Sequence, residues 1–112
     1  MSTTNHAQYV DQAEFEKLIT TEELVVVDYT ATWCGPCRVI APLIDRLAED
    51  YQGRVTVVKI DLDKNKENAK QYGIRSIPTV LIFKNGQVVE NLVGKASYET
   101  FSNAVETHIQ VS

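Results

Sequence analysis

Cys34 and Cys37 are the only two cysteines in the chain, and they stand three positions apart. Residues i and i+3 of an α-helix have Cα atoms about 5 Å apart, inside the roughly 4.4–6.8 Å that a disulfide requires. The two sulfurs can therefore bridge and separate again. Cys34 falls between an apolar run and a helical pattern, at the mouth of a helix. Backbone N–H groups without intrahelical partners and the positive end of the dipole favour thiolate over thiol there. Cys37 falls one turn deeper, on the side where Ile40 and Ile44 point inward, and desolvation favours its neutral form. One sulfur is expected to attack while the other waits.

A magnitude limits what acidity alone achieves. A thiol whose pKa drops from about 8.5 to about 7 goes from roughly 3% to about half thiolate at pH 7. Nucleophilicity falls with a Brønsted slope of about 0.4–0.5, so the net gain in attack rate is only a few-fold. The larger gain is intramolecular, because a second thiol held beside a mixed disulfide acts at a very high effective concentration. Pro36 suits the first helical turn, where its missing N–H costs nothing, and Gly35 lets another backbone approach closely. A histidine between the cysteines would add a cation, favour the dithiol and make a stronger oxidant; this pair lacks it and points to a reductant.

The plainer readings of the pair are half a zinc site or two inert core thiols. His6 and His108 lie near opposite ends and do not complete a ligand set, so no metal is expected. The chain has no phosphate-binding loop or flavin motif, and no cofactor is expected either.

Asp28 is the least expected charge, since it lies in an otherwise apolar strand pattern. Burying a carboxylate without a partner is costly and raises its pKa toward neutrality. It reads either as a hydrogen-bonded structural acid or as an exposed strand end. Lys59, within Thr56-Val57-Val58-Lys59-Ile60, reads by itself as a solvated strand-edge lysine.

The elements that must position these residues follow from periodicity. Asp11 and Glu14 form a capping-box pattern ahead of Phe15, Leu18 and Ile19, which predicts a first helix. Leu24 to Tyr29 is a continuous β-branched run, the pattern of a central strand buried on both faces. Ile40, Leu43, Ile44, Leu47, Ala48 and Tyr51 recur at helical spacing, with Gly53 past the end and Pro42 expected to kink the helix. Arg54 to Ile60 predicts a second strand and Asn65 to Tyr72 a weaker helix stopped by Gly73. Thr79 to Phe83 and Gln87 to Val89 flank Asn85-Gly86, a type I′ hairpin signal. Ser97 caps a last helix with Tyr98, Phe101, Val105 and Ile109 facing inward. The fold class is α/β, a mixed sheet between helices.

The chain has 112 residues, a size for one domain, with residues 1–8 read as an N-terminal extension and 9–112 as the domain. Eleven basic against fifteen acidic residues give a net charge of -4, without the positive footprint that nucleic acid or anionic membranes require. Apolar runs such as Leu24 to Val27 fall far short of the roughly 20 residues that span a bilayer. Met1 to Gln8 has no charged or apolar targeting region, and two clustered cysteines suit a reducing compartment, so a cytoplasmic location is expected.

Trp33-Cys34-Gly35-Pro36-Cys37, with Asp28 upstream and Lys59, Ser76-Ile77-Pro78-Thr79 and Val93-Gly94 downstream, resembles the thioredoxin family over residues 9–110. The resemblance implies a thioredoxin fold, a central mixed five-stranded sheet with four helices. It implies a protein-disulfide oxidoreductase that acts as a monomer, reduces disulfide-containing target proteins and is restored by an NADPH- or ferredoxin-dependent thioredoxin reductase. Carried over residue by residue, Cys34 is the nucleophile, Cys37 the resolving thiol, Asp28 a general base acting through water, and Lys59 its neighbour. Ile77-Pro78 is implied to be cis and to face the pair. Trp33, Ile77, Pro78, Val93 and Gly94, with Leu62 and Ala96 at the edge, are implied to form an apolar surface for an extended protein segment.

Thr30 departs from the many bacterial members that carry a large aromatic there. Asp28 to Trp33 instead resembles plant h-type and some cyanobacterial members. A second reading keeps the fold but makes the chain an interaction subunit whose surface binds a partner in either redox state. A third, an oxidase or isomerase of the secretory route, conflicts with the absence of a signal segment.

Overall fold

A computed structural model of the chain describes residues 6–109. Five strands, β1 (Gln8–Tyr9), β2 (Leu24–Thr30), β3 (Thr56–Asp61), β4 (Thr79–Lys84) and β5 (Gln87–Val93), form one sheet in the order β1-β3-β2-β4-β5. β1 and β2 run parallel to β3, while β4 is antiparallel to β2 and to β5. Four helices complete the fold: α1 (Gln12–Thr21), α2 (Gly35–Asp50), α3 (Lys66–Gln71) and α4 (Tyr98–His108). The expected mixed sheet with four helices is what the chain adopts.

β2 is buried at every position because it is the middle strand and both faces are covered. Alternation along it divides the core. Leu24 and Val26 join Ile40, Ile44, Leu47, Phe101 and Val105 under α2 and α4. Val25, Val27 and Tyr29 join Phe15, Leu81 and Phe83 on the opposite side. On that side Phe15, Tyr72 and Phe83 meet edge to face, with centroids 5.3–5.6 Å apart.

Helix starts follow their sequence signals. Asp11 and Glu14 make the reciprocal capping box of α1, and the Ser97 side chain accepts the Thr100 N–H to cap α4. Asn85 and Gly86 both have positive φ, 52° and 84°, as a type I′ turn requires.

Several boundaries differ from expectation. Ala7 is buried in the core and Gln8 opens β1, so the fold reaches into the segment 1–8 that the sequence presents as an extension. Arg54 and Val55 precede the second long strand, because their N–H groups still bond to Tyr51 O as α2 closes. A 3-10 turn over Leu62–Lys64 separates β3 from α3, which is shorter than expected. β5 continues past Val89 to Val93. The α2 span runs through Pro42, which lies on its exposed side.

Candidate active site

The site lies where β2 hands over to α2, outside the carboxyl end of the central strand, a common place for ligands in α/β sheets. After Thr30 the chain turns, with the Cys34 N–H bonded to Ala31 O at 3.2 Å. Cys34 is extended, at φ -93° and ψ 111°, and caps α2: its sulfur accepts the Cys37 N–H at 3.2 Å. Pro36 occupies the first turn, where no intrahelical donor is lost. The cysteines form a disulfide with Cα atoms 5.3 Å apart, so the spacing argument holds in three dimensions.

The expected contrast in burial is not what separates the two sulfurs. Cys34 and Cys37 are 4% and 2% exposed. What they face differs. Cys34 Sγ lies 3.9 Å from Ile77 O, a van der Waals contact in the oxidised state because a disulfide sulfur has no hydrogen to donate. Cys37 instead lines a cavity of about 300 Å³ with Asp28, Thr30, Arg38 and Lys59.

Asp28 matches neither of its two sequence readings. It is 1% exposed, and its Oδ1 has no hydrogen-bond partner among the described residues. Burial pushes its carboxyl up to about 7, against the opposing pull of Lys59, with Asp45 adding to the rise. Lys59 is its register partner on β3, a strand flanked on both sides, so the solvated-edge reading of the lysine fails. The lysine ammonium lies 3.9 Å from Asp45 Oδ1 and 5.0 Å from the centre of the Tyr9 ring.

Around the disulfide, Ile77 packs against Ala31, Cys34 and Cys37, and the Ile77–Pro78 bond is cis. Trp33 is 62% exposed, and its indole N–H donates to Asp63 Oδ2 at 2.8 Å. Val93 is exposed at the end of β5, and the Gly94 N–H donates to Pro78 O at 2.8 Å, which ties that end to the Ile77 loop. Gly94 has a φ of 90°, a conformation costly for any other residue. Leu62 and Ala96 pack inward against opposite faces of the core.

Sequence reasoning missed Asp45 and Arg38. Asp45 stands eight residues after Cys37 on α2, so helical spacing placed it on the same face; its value depends on Lys59, which the sequence separates widely. The Arg38 guanidinium donates to Thr32 O at 2.7 Å and closes one side of the cavity. His6 and His108 pair with Asp45 and Glu90, at 3.0 and 2.7 Å. Among the described residues no group of His, Cys, Asp and Glu could hold a metal ion.

The thioredoxin family model matches residues 6–107. The chain is 45% identical to thioredoxin 1 of the cyanobacterium Nostoc, over 92% of this chain and 96% of that one. It is 46% identical to the thioredoxin of Synechocystis, over 89% and 94%. The structure of a mutant thioredoxin from Halobacterium salinarum superposes with a TM-score of 0.88 at 32% identity, covering 100% of this chain and 98% of that one. With a Cys34–Cys37 redox pair at the mouth of α2 and these relatives along nearly its whole length, the chain belongs to the thioredoxin family of protein-disulfide oxidoreductases.

Proposed function

We propose that Cys34 attacks the target disulfide, Cys37 resolves the mixed disulfide, and Asp28 is the general base for Cys37. The carrying observation is that Cys37 and the partner-short Asp28 line one cavity while Cys34 caps the helix. The Cys34 thiolate bonds to one target sulfur and the target disulfide breaks, releasing a thiolate that takes a proton from water. Cys37 passes its proton to the Asp28 carboxylate through water, and its sulfur then bonds to Cys34. The second target thiolate leaves and collects that proton. Two electrons have moved from the dithiol to the target, and the protein is left in the disulfide form seen in the structure.

A carboxyl that titrates near neutrality suits this work, because it accepts a proton in one step and yields it in the next. The 300 Å³ cavity has room for the bridging water. Trp33, Ile77, Pro78, Val93 and Gly94 form the surface for an extended target segment, with Gly35 and Pro36 completing the loop. The exposure of Trp33, next in sequence to Cys34, and of Val93, at the strand end tied to the Ile77 loop, supports that assignment.

The family implies a reductase that restores the dithiol; we assign it to the NADPH- or ferredoxin-dependent thioredoxin reductases. The protein works as a monomer in the cytoplasm without nucleic acid or membrane. Its net charge of -4 supports the exclusion of nucleic acid, and no helix among the described residues is long and apolar enough to cross a membrane. Coupled insulin reduction with each reductase class tests the assignment. Cys34→Ser should abolish turnover; a variant that kept it would overturn the role given to Cys34.

A further inference from the structure

Asp28 and Lys59 occupy paired positions on adjacent strands, on the face covered by α2. Such a neighbour would ordinarily neutralise a buried carboxylate. The ion pair that Lys59 makes is instead with Asp45 of α2. Asp45 is itself held from two sides: the Ala7 N–H donates to Oδ1 at 3.1 Å, and the His6 ring lies 3.0 Å from Oδ2. The segment just ahead of β1 therefore fixes Asp45, and Asp45 holds the lysine through their ion pair. Asp28 Oδ1 is left without a partner among the described residues.

We propose that Asp45 is a positioning residue for the redox reaction, acting through Lys59: it holds the lysine ammonium away from Asp28 so that this acid can carry the proton of Cys37. The proposal rests on the general-base reading of Asp28. Without Asp45 the ammonium is free to turn to Asp28, which becomes a paired carboxylate and a weaker base for a thiol. The groups that bear on Asp28 are Cys37, Arg38 and Asp45 from α2, Lys59 from β3 and Tyr9 from β1, with Asp61 acting on Tyr9 and His6 behind Asp45. The strand on its other side, β4, presents the apolar Val80 in register. Arg38 is engaged with Thr32 O, which among the described residues leaves Lys59 as the cation shared by two acids.

The test is an NMR titration of the Asp28 side-chain carboxyl carbon in the oxidised protein, where neither cysteine titrates. Asp45→Asn keeps an acceptor for the Ala7 N–H and removes the charge. It should lower the Asp28 midpoint by roughly one pH unit, and Asp45→Glu should restore it. In a Lys59→Met background the effect of Asp45→Asn should shrink to a small fraction, because the lysine that transmits it is gone. A midpoint that stays or rises in Asp45→Asn overturns the proposal. So does an equal shift in both backgrounds, which would assign the effect to the direct field of Asp45. Should Asp45→Asn fail to fold, Asp45→Ser is titrated in its place against the same criteria. An Asp28 midpoint near 4 in the unaltered protein would instead refute the general-base reading itself, so the two failures are told apart.

Discussion

The Cys37 N–H points at the Cys34 sulfur from 3.2 Å, so the residue assigned to resolve the mixed disulfide also presents the attacking sulfur through its backbone. This contact uses the main chain of Cys37 and survives any change to its side chain. The two roles can therefore be separated by mutation.

Cys37→Ser should retain attack by Cys34 and lose release. Incubated with a disulfide-bearing target, the variant should accumulate a covalent mixed disulfide at Cys34, visible by non-reducing electrophoresis and cleared by dithiothreitol. Cys34→Ser should form none. Adduct at residue 37 in place of 34 would reverse the assignment.

The role proposed for Asp28 has a consequence for stability. Its carboxyl titrates at about 7 when folded against 3.8 in the open chain, so between those values the folded state binds more protons than the unfolded state. Stability contributed by this site falls as pH rises through that window and levels off above about 7. Asp28→Asn removes the penalty, and the variant should gain on the parent protein by roughly 2–4 kcal/mol between pH 4 and pH 8. Urea denaturation at a series of pH values measures this. The same variant should turn over targets more slowly, with the deficit in the release step.

Trp33 is the only tryptophan, next in sequence to the redox pair and largely exposed. Its emission should change when dithiothreitol opens the disulfide and return on oxidation. An intensity indifferent to redox state would contradict the geometry around Cys34.

The Tyr29 hydroxyl donates to Asn68 Oδ1 at 2.5 Å, and the Asn68 amide donates to Gln12 Oε1 at 2.8 Å, which joins β2, α3 and α1. Asn68 is buried, so Tyr29→Phe leaves its oxygen unsatisfied and should cost about 1–3 kcal/mol. Thermal unfolding should show a lower midpoint with the insulin-reducing activity retained, since the chain lies on the face away from the cysteines.

Most of the fold was legible because its signals are local. The capping box at Asp11, the Asn85-Gly86 turn and the helical spacing after Cys37 each depend on a few neighbouring residues whose backbone preferences agree. β1 was not legible, since two residues display no alternation; it exists because β3 offers an open edge for pairing. The start of β3 is hidden from the sequence because the closing turn of α2 claims the N–H groups of Arg54 and Val55.

The chemistry divides along the same line. The i, i+3 spacing and the helix mouth determined from sequence that two sulfurs could bridge and that one would cap the helix, because both follow from geometry within a single turn. The environment of Asp28 was decided only by the tertiary structure. Its desolvation needs the sheet beneath and α2 above, and the diversion of Lys59 to Asp45 needs β1, β3 and α2 to meet. Electrostatic energies depend on distances through space, and those are set by packing between segments far apart along the chain.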